Sequence, residues 1–281
     1  MSTQRNGLTH YSVLMPLAPW ELPGILSEAL LSLQEQTLPP NQIVISCDGS
    51  PSTGLRNLLE TIDLPLDIII GPGEEGVGPV LARGLRACSN ELVIRADADD
   101  ISLPNRCAIQ VSWMSCHPEI LASGCLIDEF YKRPDHPISQ RKVPIGEQEI
   151  LQGVTARNPL SHPSVILRRS AVLAAGNYRS KPGFEDYDLW LRLLRNNGRC
   201  VLANLPEALV LARVGPAHLN RRHGWHYAWV ETNFFVGCGR EGLMEWPIVI
   251  RNLALRLPLR LLPAELLSRA MAVGTRRRLS P

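Results

Sequence analysis

From residue 11 onward, short apolar runs alternate with longer segments whose apolar residues recur every three or four positions. Residues 12–15, 43–47, 68–70 and 92–94 read as buried strands, each a brief aliphatic run bounded by Pro, Gly or Asp. Pro16 is expected to stop the first of them. Between these runs, residues 23–36, 55–61, 77–88 and 105–116 have helical spacing, and Pro23 stands where a first helical turn tolerates it. Strands alternating with helices of this length need right-handed crossovers. They predict an α/β fold with a Rossmann-like, mostly parallel central sheet flanked by helices.

That topology has a chemical consequence, because open α/β sheets bind ligands beyond the carboxyl ends of their strands. Pro16 to Glu21, Asp48, the glycine-rich stretch 71–78 and Asp97 to Asp100 all fall at such ends and are expected to converge on one crevice. Glycines at 71, 73, 76 and 78 allow close backbone approach, and the helix start that follows favours phosphate. No GxGxxG follows the first strand and no GxxxxGK[ST] is present, which argues against nicotinamide and P-loop sites.

The sharpest feature is Arg95-Ala96-Asp97-Ala98-Asp99-Asp100, three carboxylates directly after an apolar strand. Carboxylates this close repel one another, and an unpaired buried charge is costly. Two readings are open here. Clustered oxygens suit Mg²⁺ or Mn²⁺; alternatively, Asp99 or Asp100 caps the next helix. Arg95 shares the strand face of Asp97 and is placed to pair with it.

The second half begins with a strand at 121–130 and a polar, proline-bearing stretch at 131–146 that reads as a loop over the crevice. A strand at 165–167 and a short helix at 170–175 follow. The segment 184–194 opens with Glu185, Asp186 and Asp188, then puts Leu189, Trp190, Leu193 and Leu194 on one helical face. Acids at a helix start are favoured by the macrodipole, yet three exceed what that needs.

Composition narrows the class. The chain has 281 residues, 45% of them hydrophobic, enough for a sizeable core. A formal charge of +2 gives no case for nucleic acid. Seven cysteines, odd in number and without CxxC spacing, read as reduced core residues rather than disulfides or a zinc site. The polar first ten residues do not resemble a secretory leader, and no uncharged apolar run reaches the roughly 18 residues of a membrane span. A cytoplasmic protein is expected.

Four motifs occur in order: Asp48-Gly49-Ser50; Arg95-x-Asp97-x-Asp99-Asp100-Ile101-Ser102-x-Pro104-x-Arg106; Asn158-Pro159-x-x-His162-Pro163-Ser164; and Glu185-Asp186-Tyr187-x-Leu189-Trp190-x-Arg192-Leu193. Across residues 11–224 the chain thereby resembles the bacterial polysaccharide branch of glycosyltransferase family 2, with its GT-A fold. The resemblance implies an inverting transferase that moves a sugar from a nucleotide-sugar, such as a UDP-sugar, to a saccharide acceptor. It implies a divalent metal, Mn²⁺ or Mg²⁺, and Asp48 reading the nucleotide base. Asp97 and Asp99 become the DXD pair on ribose and metal, supported by Asp100, and Asp186 the catalytic base. Pro16, Glu21, Arg83 and Arg95 fall on the donor side, and Glu185 and Trp190 on the acceptor side. His162 is a candidate for a sugar hydroxyl or for ordering its loop. His218 is a candidate late metal ligand, and Arg221 and Arg222 are candidate phosphate binders. The first strand end departs from the family, having Leu17-Ala18 where relatives have a tyrosine–asparagine pair, and Ala82-Arg83 replaces a common asparagine.

Three regions are expected: a nucleotide-sugar half at 1–133, an acceptor half at 134–224, and C-terminal basic amphipathic helices at 225–281. From Trp246 the apolar clusters are punctuated by Arg251, Arg256, Arg260, Arg269 and Arg276 to Arg278, with Glu265 as the one acid. This suits either a helix lying on an anionic membrane, near a polyprenyl-diphosphate-linked acceptor at the inner face, or a helical pair docked on the domain. Rival classes are a sugar-1-phosphate nucleotidyltransferase, which lacks support without a glycine-rich basic motif at the first strand, and a non-catalytic nucleotide-sugar-binding protein. A class II terpene cyclase shares a DxDD motif but is all-helical and longer.

Overall fold

The structure is a computed structural model that describes residues 10–215, 224–260 and the backbone of 276–278. In chain order the strands are β1 (Tyr11–Leu17), β2 (Gln42–Cys47), β3 (Leu66–Ile70), β4 (Leu92–Arg95), β5 (Ile101–Ser102), β6 (Ala122–Phe130), β7 (Ser139–Arg141), β8 (Ile166–Arg168), β9 (Leu202–Arg213) and β10 (Arg276–Arg278). The helices are α1 (Pro23–Gln34), α2 (Thr53–Thr61), α3 (Val77–Ala87), α4 (Arg106–Cys116), α5 (Glu147–Gly153), α6 (Arg169–Ala174), α7 (Glu185–Asn197), α8 (Gly224–Arg240) and α9 (Trp246–Arg260). A single 3₁₀ turn spans His162–Ser164.

The sheet runs β10-β7-β6-β8-β4-β1-β2-β3, with β9 alongside β6 and β5. β3, β2, β1 and β4 are parallel, as the alternating pattern predicts. Beyond β4 the sheet is mixed, for β8 and β7 enter antiparallel to their neighbours and β9 runs parallel to β6. Pro16 does not end β1 but sits inside it, opposite Ser46 of β2. The β4 ladder stops at Leu14–Arg95, so no partner strand needs the N–H that Pro16 lacks.

Two predictions change in the second half. The stretch 131–146 is not all loop, since Ser139–Arg141 folds back on β6 through side-chain bonds from Ser139 Oγ to Glu129 (2.6 Å) and Arg141 Nε to Glu129 (2.7 Å). β9 has no counterpart among the predicted strands. Its ladder slips between Leu205 and Ala208, leaving Pro206 and Glu207 unpaired, and this breaks the alternation that identifies a strand.

Each face of the sheet carries a core, one under α1, α2 and α4, the other under α3, α6 and α7. Gly84 brings α3 close, since a Cβ there would lie 2.4 Å from Leu14 Cδ1 and 2.9 Å from Ser46 Cβ. A third cluster joins α7 to α8 and α9 through Phe184, Tyr187, Phe234 and Phe235, with Phe184 and Phe234 stacked at 4.4 Å between centroids.

The C-terminal helices are therefore docked. α8 and α9 pack antiparallel, with Tyr227 beside Arg260 and Gly239 beside Trp246. Two arginines expected to fringe a basic surface instead turn inward. Arg256 Nη1 and Arg260 Nε each donate at 2.7 Å to Glu231, whose side chain is fully buried. The last basic cluster belongs to no helix, because the backbone of Arg276–Arg278 extends the sheet beside β7. Breaking a buried ion pair from one side strands the other charge, so Glu231→Gln is expected to lower stability by about 3–5 kcal/mol. A fall in the urea midpoint at unchanged far-UV spectrum is the measurement that checks it.

Candidate active site

β1, β2 and β4 run in one direction, so their C-terminal ends open on the same side of the sheet and bring Pro16 to Glu21, Asp48 and Asp97 to Asp100 to one rim. Asp97, Asp99 and Asp100 there offer carboxylate oxygens within 4.8 Å of one another. None of them caps α4, whose N-cap is Asn105. Burial first, then the charges of Asp97 and Glu21, push the Asp99 carboxyl up to about 6. Burial and the charges of Asp97 and Asp99 raise Asp100 well above the usual carboxylate range. Clustered oxygen donors, with Asp99 and Asp100 held towards their protonated forms, fit a hard divalent cation.

Three arginines build this rim. Arg95, buried, grips Asp97 through both terminal nitrogens, the pairing the sequence suggests, while its Nε meets no hydrogen-bond partner. Arg106 is 1% exposed. It donates to the carbonyls of Arg95 (2.7 Å) and Pro163 (2.9 Å), to Ser102 Oγ (3.0 Å) and to Gln110 (3.0 Å). The acid strand is thereby buckled to the loop carrying His162. At the end of β9 the Arg213 N–H donates to Asp100 at 2.9 Å, and its guanidinium reaches Glu28 at 2.5 Å. Arg106 stands in the second motif without an assigned role, and its proline spacing is the one signal in the sequence. Arg213 carries no such signal because its partners are 113 and 185 residues away.

The glycine-rich loop is held from β2. Asp48 accepts from the N–H groups of Glu75 (3.0 Å) and Gly76 (3.3 Å), and Gly76 begins α3 with φ 78°. Arg83 binds Glu75 and donates to the Cys47 carbonyl at 2.8 Å, so its guanidinium fastens this loop. Glu21 is half-buried, and Trp20 beside it is 76% exposed.

The fourth motif forms the opposite wall. Asp186 opens α7 buried, accepting from Asn158 Nδ2 at 2.6 Å and from the Tyr187 N–H at 2.7 Å. Burial raises its carboxyl despite these bonds, and burial plus the Asp186 charge pushes Glu185 up to about 7. The Arg95 charge pulls both back down, which electrostatically links the two acid groups. His162 faces Tyr178 Oη at 3.2 Å, and burial and Arg95 keep its ring neutral. Trp190 departs from its assigned place. It is fully buried in the core under His162, 6.4 Å between ring centroids, and meets no acceptor surface. Its sequence position on the apolar face of α7 agrees with that. His218, Arg221 and Arg222 lie outside the described residues.

Residues 21–173 match the family described as Glycosyl transferase family 2. The chain is 36% identical over 227 residues to the amylovoran biosynthesis glycosyltransferase AmsE of Erwinia amylovora, covering 80% of this chain and 84% of that one. It is 31% identical to an Escherichia coli UDP-Gal:alpha-D-GlcNAc-diphosphoundecaprenol beta-1,3-galactosyltransferase, covering 90% and 92%. Among solved structures it resembles the mannosyltransferase PcManGT of Pyrobaculum calidifontis in complex with GDP-Man and Mn²⁺. That match has a TM-score of 0.61, 19% identity and coverage of 94% of this chain and 80% of that one.

The raised carboxyls predict a pH-dependent metal response. Folded-state pKa values of about 6 for Asp99 and about 7 for Glu185 exceed their ordinary values of 3.8 and 4.5, so the folded chain binds more protons in that window. Metal-free stability from these groups therefore falls as pH rises through it, and a cation relieves the Asp99 share once the protons have gone. Mn²⁺ is expected to raise the melting temperature more at about pH 8 than at about pH 6. Asp99→Asn should abolish the difference, whereas equal shifts at both pH values in wild type would count against metal binding at the trio.

Proposed function

The chain belongs to glycosyl transferase family 2 and has the GT-A fold, and from that premise we propose an inverting sugar transfer in bacterial surface polysaccharide synthesis. The donor is a nucleotide-sugar, a UDP-sugar by analogy with the E. coli galactosyltransferase. The acceptor is a saccharide on a polyprenyl diphosphate. The observation that carries the reading is the pairing of an acid trio at the β4 end with a buried carboxylate at the α7 start, both within the field of Arg95.

In this reaction the acceptor hydroxyl oxygen attacks the anomeric carbon, the bond from that carbon to the phosphate oxygen breaks, and the hydroxyl proton moves to Asp186. Asn158 and the Tyr187 N–H fix the two Asp186 oxygens, leaving lone pairs for that proton. Burial makes Asp186 a stronger base than a free aspartate. Asp97, Asp99 and Asp100 would hold a divalent cation, which supplies positive charge to the departing diphosphate. Asp48 and the 71–78 loop line the donor side, where Asp48 is assigned to the base. Glu185 lies beside the base and Arg95 tempers its charge. A location at the cytoplasmic face of the membrane completes the proposal, and among the described residues no helix is long and apolar enough to cross it.

Nucleotide release from a panel of UDP- and GDP-sugars tests it. One donor is expected to be hydrolysed slowly, faster with a lipid-diphosphate-saccharide acceptor, and EDTA should stop the reaction. Asp186→Asn should lower turnover by about 10²–10⁴-fold while calorimetry still finds donor binding. Burial raises both carboxyls of the Glu185–Asp186 pair, so the acid limb of the pH profile is expected above the usual carboxylate range, with activity falling as pH drops through it. No release and no donor binding across the panel would overturn the reading.

A further inference from the structure

α9 turns polar as well as apolar side chains inward, with fully buried Val249 beside a polar stripe. Its polar side chains Asn252, Arg256 and Arg260 recur every four residues on one stripe, and that stripe faces the protein. Asn252 Nδ2 donates to the Thr155 carbonyl at 2.7 Å, Arg256 reaches the Ala156 carbonyl, and both arginines bind buried Glu231. The exposed side carries Ile250 and Leu255, 63% and 65% exposed, flanked by Trp246 and Leu259. α8 repeats the pattern at one end, where Trp225 and Trp229, one turn apart, are 79% and 65% exposed. The antiparallel packing sets that end beside Leu255 and Leu259, since Tyr227 neighbours Arg260. Water-facing helices bury such residues, and an outward apolar surface of this kind marks a binding face.

We propose that this face of the α8–α9 hairpin seats the protein on an anionic lipid bilayer, with its apolar side chains in the interfacial zone. Composition and charge choose the occupant. Tryptophans on an aliphatic ground suit the membrane–water interface. The outward side of α9 carries Arg251 and no acid, and beyond α9 the sequence has four arginines against Glu265. Among the described residues no helix is long and apolar enough to cross a bilayer, and an exposed apolar face suits a helix lying on its surface. The inference corrects the expectation of an arginine fringe: aliphatic and indole groups make the contact, and two of the arginines hold the helix in place. It deepens the reading of a lipid-linked acceptor and rests on that reading for its purpose. α7, which carries Asp186, packs on α8 through Phe184, Tyr187 and Phe234, so the base is tied to the helix pair that meets the lipid.

The test is partitioning of the full chain onto vesicles of phosphatidylcholine with phosphatidylglycerol, read by flotation and by quenching of tryptophan fluorescence with brominated lipid. Wild type should float and be quenched, more weakly on phosphatidylcholine alone. Ile250→Gln/Leu255→Gln, altered at exposed sites, should lose about tenfold or more in partition coefficient. Its donor hydrolysis in vesicle-free buffer and its melting temperature should be unchanged. Trp229→Phe should reduce quenching without changing fold. Asp186→Asn should still float, and wild type that binds vesicles but transfers from no donor would remove the transferase reading and leave the docking face standing. Wild type that transfers to a soluble acceptor analogue yet neither floats nor is quenched would overturn the proposal. So would a concentration-dependent dimer, seen in sedimentation and abolished by the same double substitution, in protein that does not bind vesicles.

Discussion

Carboxylate crowding at the mouth of the sheet is the constraint to which the rest of the molecule answers. Asp97, Asp99, Asp100 and Glu21 sit on one side, and Glu185 and Asp186 on the other. Burial raises several of them, so the folded chain holds a site short of positive charge. Arg95 supplies part of it from beneath and is itself fixed by a backbone bond from its N–H to the Val165 carbonyl at 2.8 Å. The deficit that remains is what a divalent cation and the donor's environment are suited to meet. In this sense the binding chemistry is a consequence of electrostatic imbalance built at strand ends.

Such a site needs firm backing, and the backing is polar rather than apolar. Arg106 is buried without a carboxylate partner and satisfies carbonyls from two segments 68 residues apart, Arg95 and Pro163. Gln110 continues the network to the Ser164 carbonyl at 2.7 Å. A guanidinium offers several donors in a planar fork, which is why one residue can tie a strand, a turn and a helix together. The acids' position relative to the His162 loop follows from this buckle.

The C-terminal hairpin extends the same logic outward. Glu231 draws two arginines into the protein beside Val249, while Ile250 and Leu255 of α9 face the exterior. The aromatic cluster beneath it joins the hairpin to the helix that presents Asp186. The wall that carries Asp186 and the proposed lipid-facing surface are thus one packed unit, an arrangement that suits the proposed lipid-linked acceptor.

The parallel half of the sheet was legible from the chain alone, because short apolar runs and helical spacing are local properties and strand ends then locate the crevice. The acid trio, the Glu185–Asp186 pair and the Arg95–Asp97 pairing were legible for the same reason, each being a contact within a few residues. β9 was not, since its regular alternation is broken at Pro206 and its strand character comes from lying against β6. The buckle at Arg106 and the inward turn of Arg256 and Arg260 were decided by tertiary structure. In each case the deciding partner is remote in sequence: the His162 loop for Arg106, Glu231 for the two arginines. A residue's neighbours in the chain set its intrinsic preference, but whether a charge faces water or protein depends on which distant group reaches it first in the folded state.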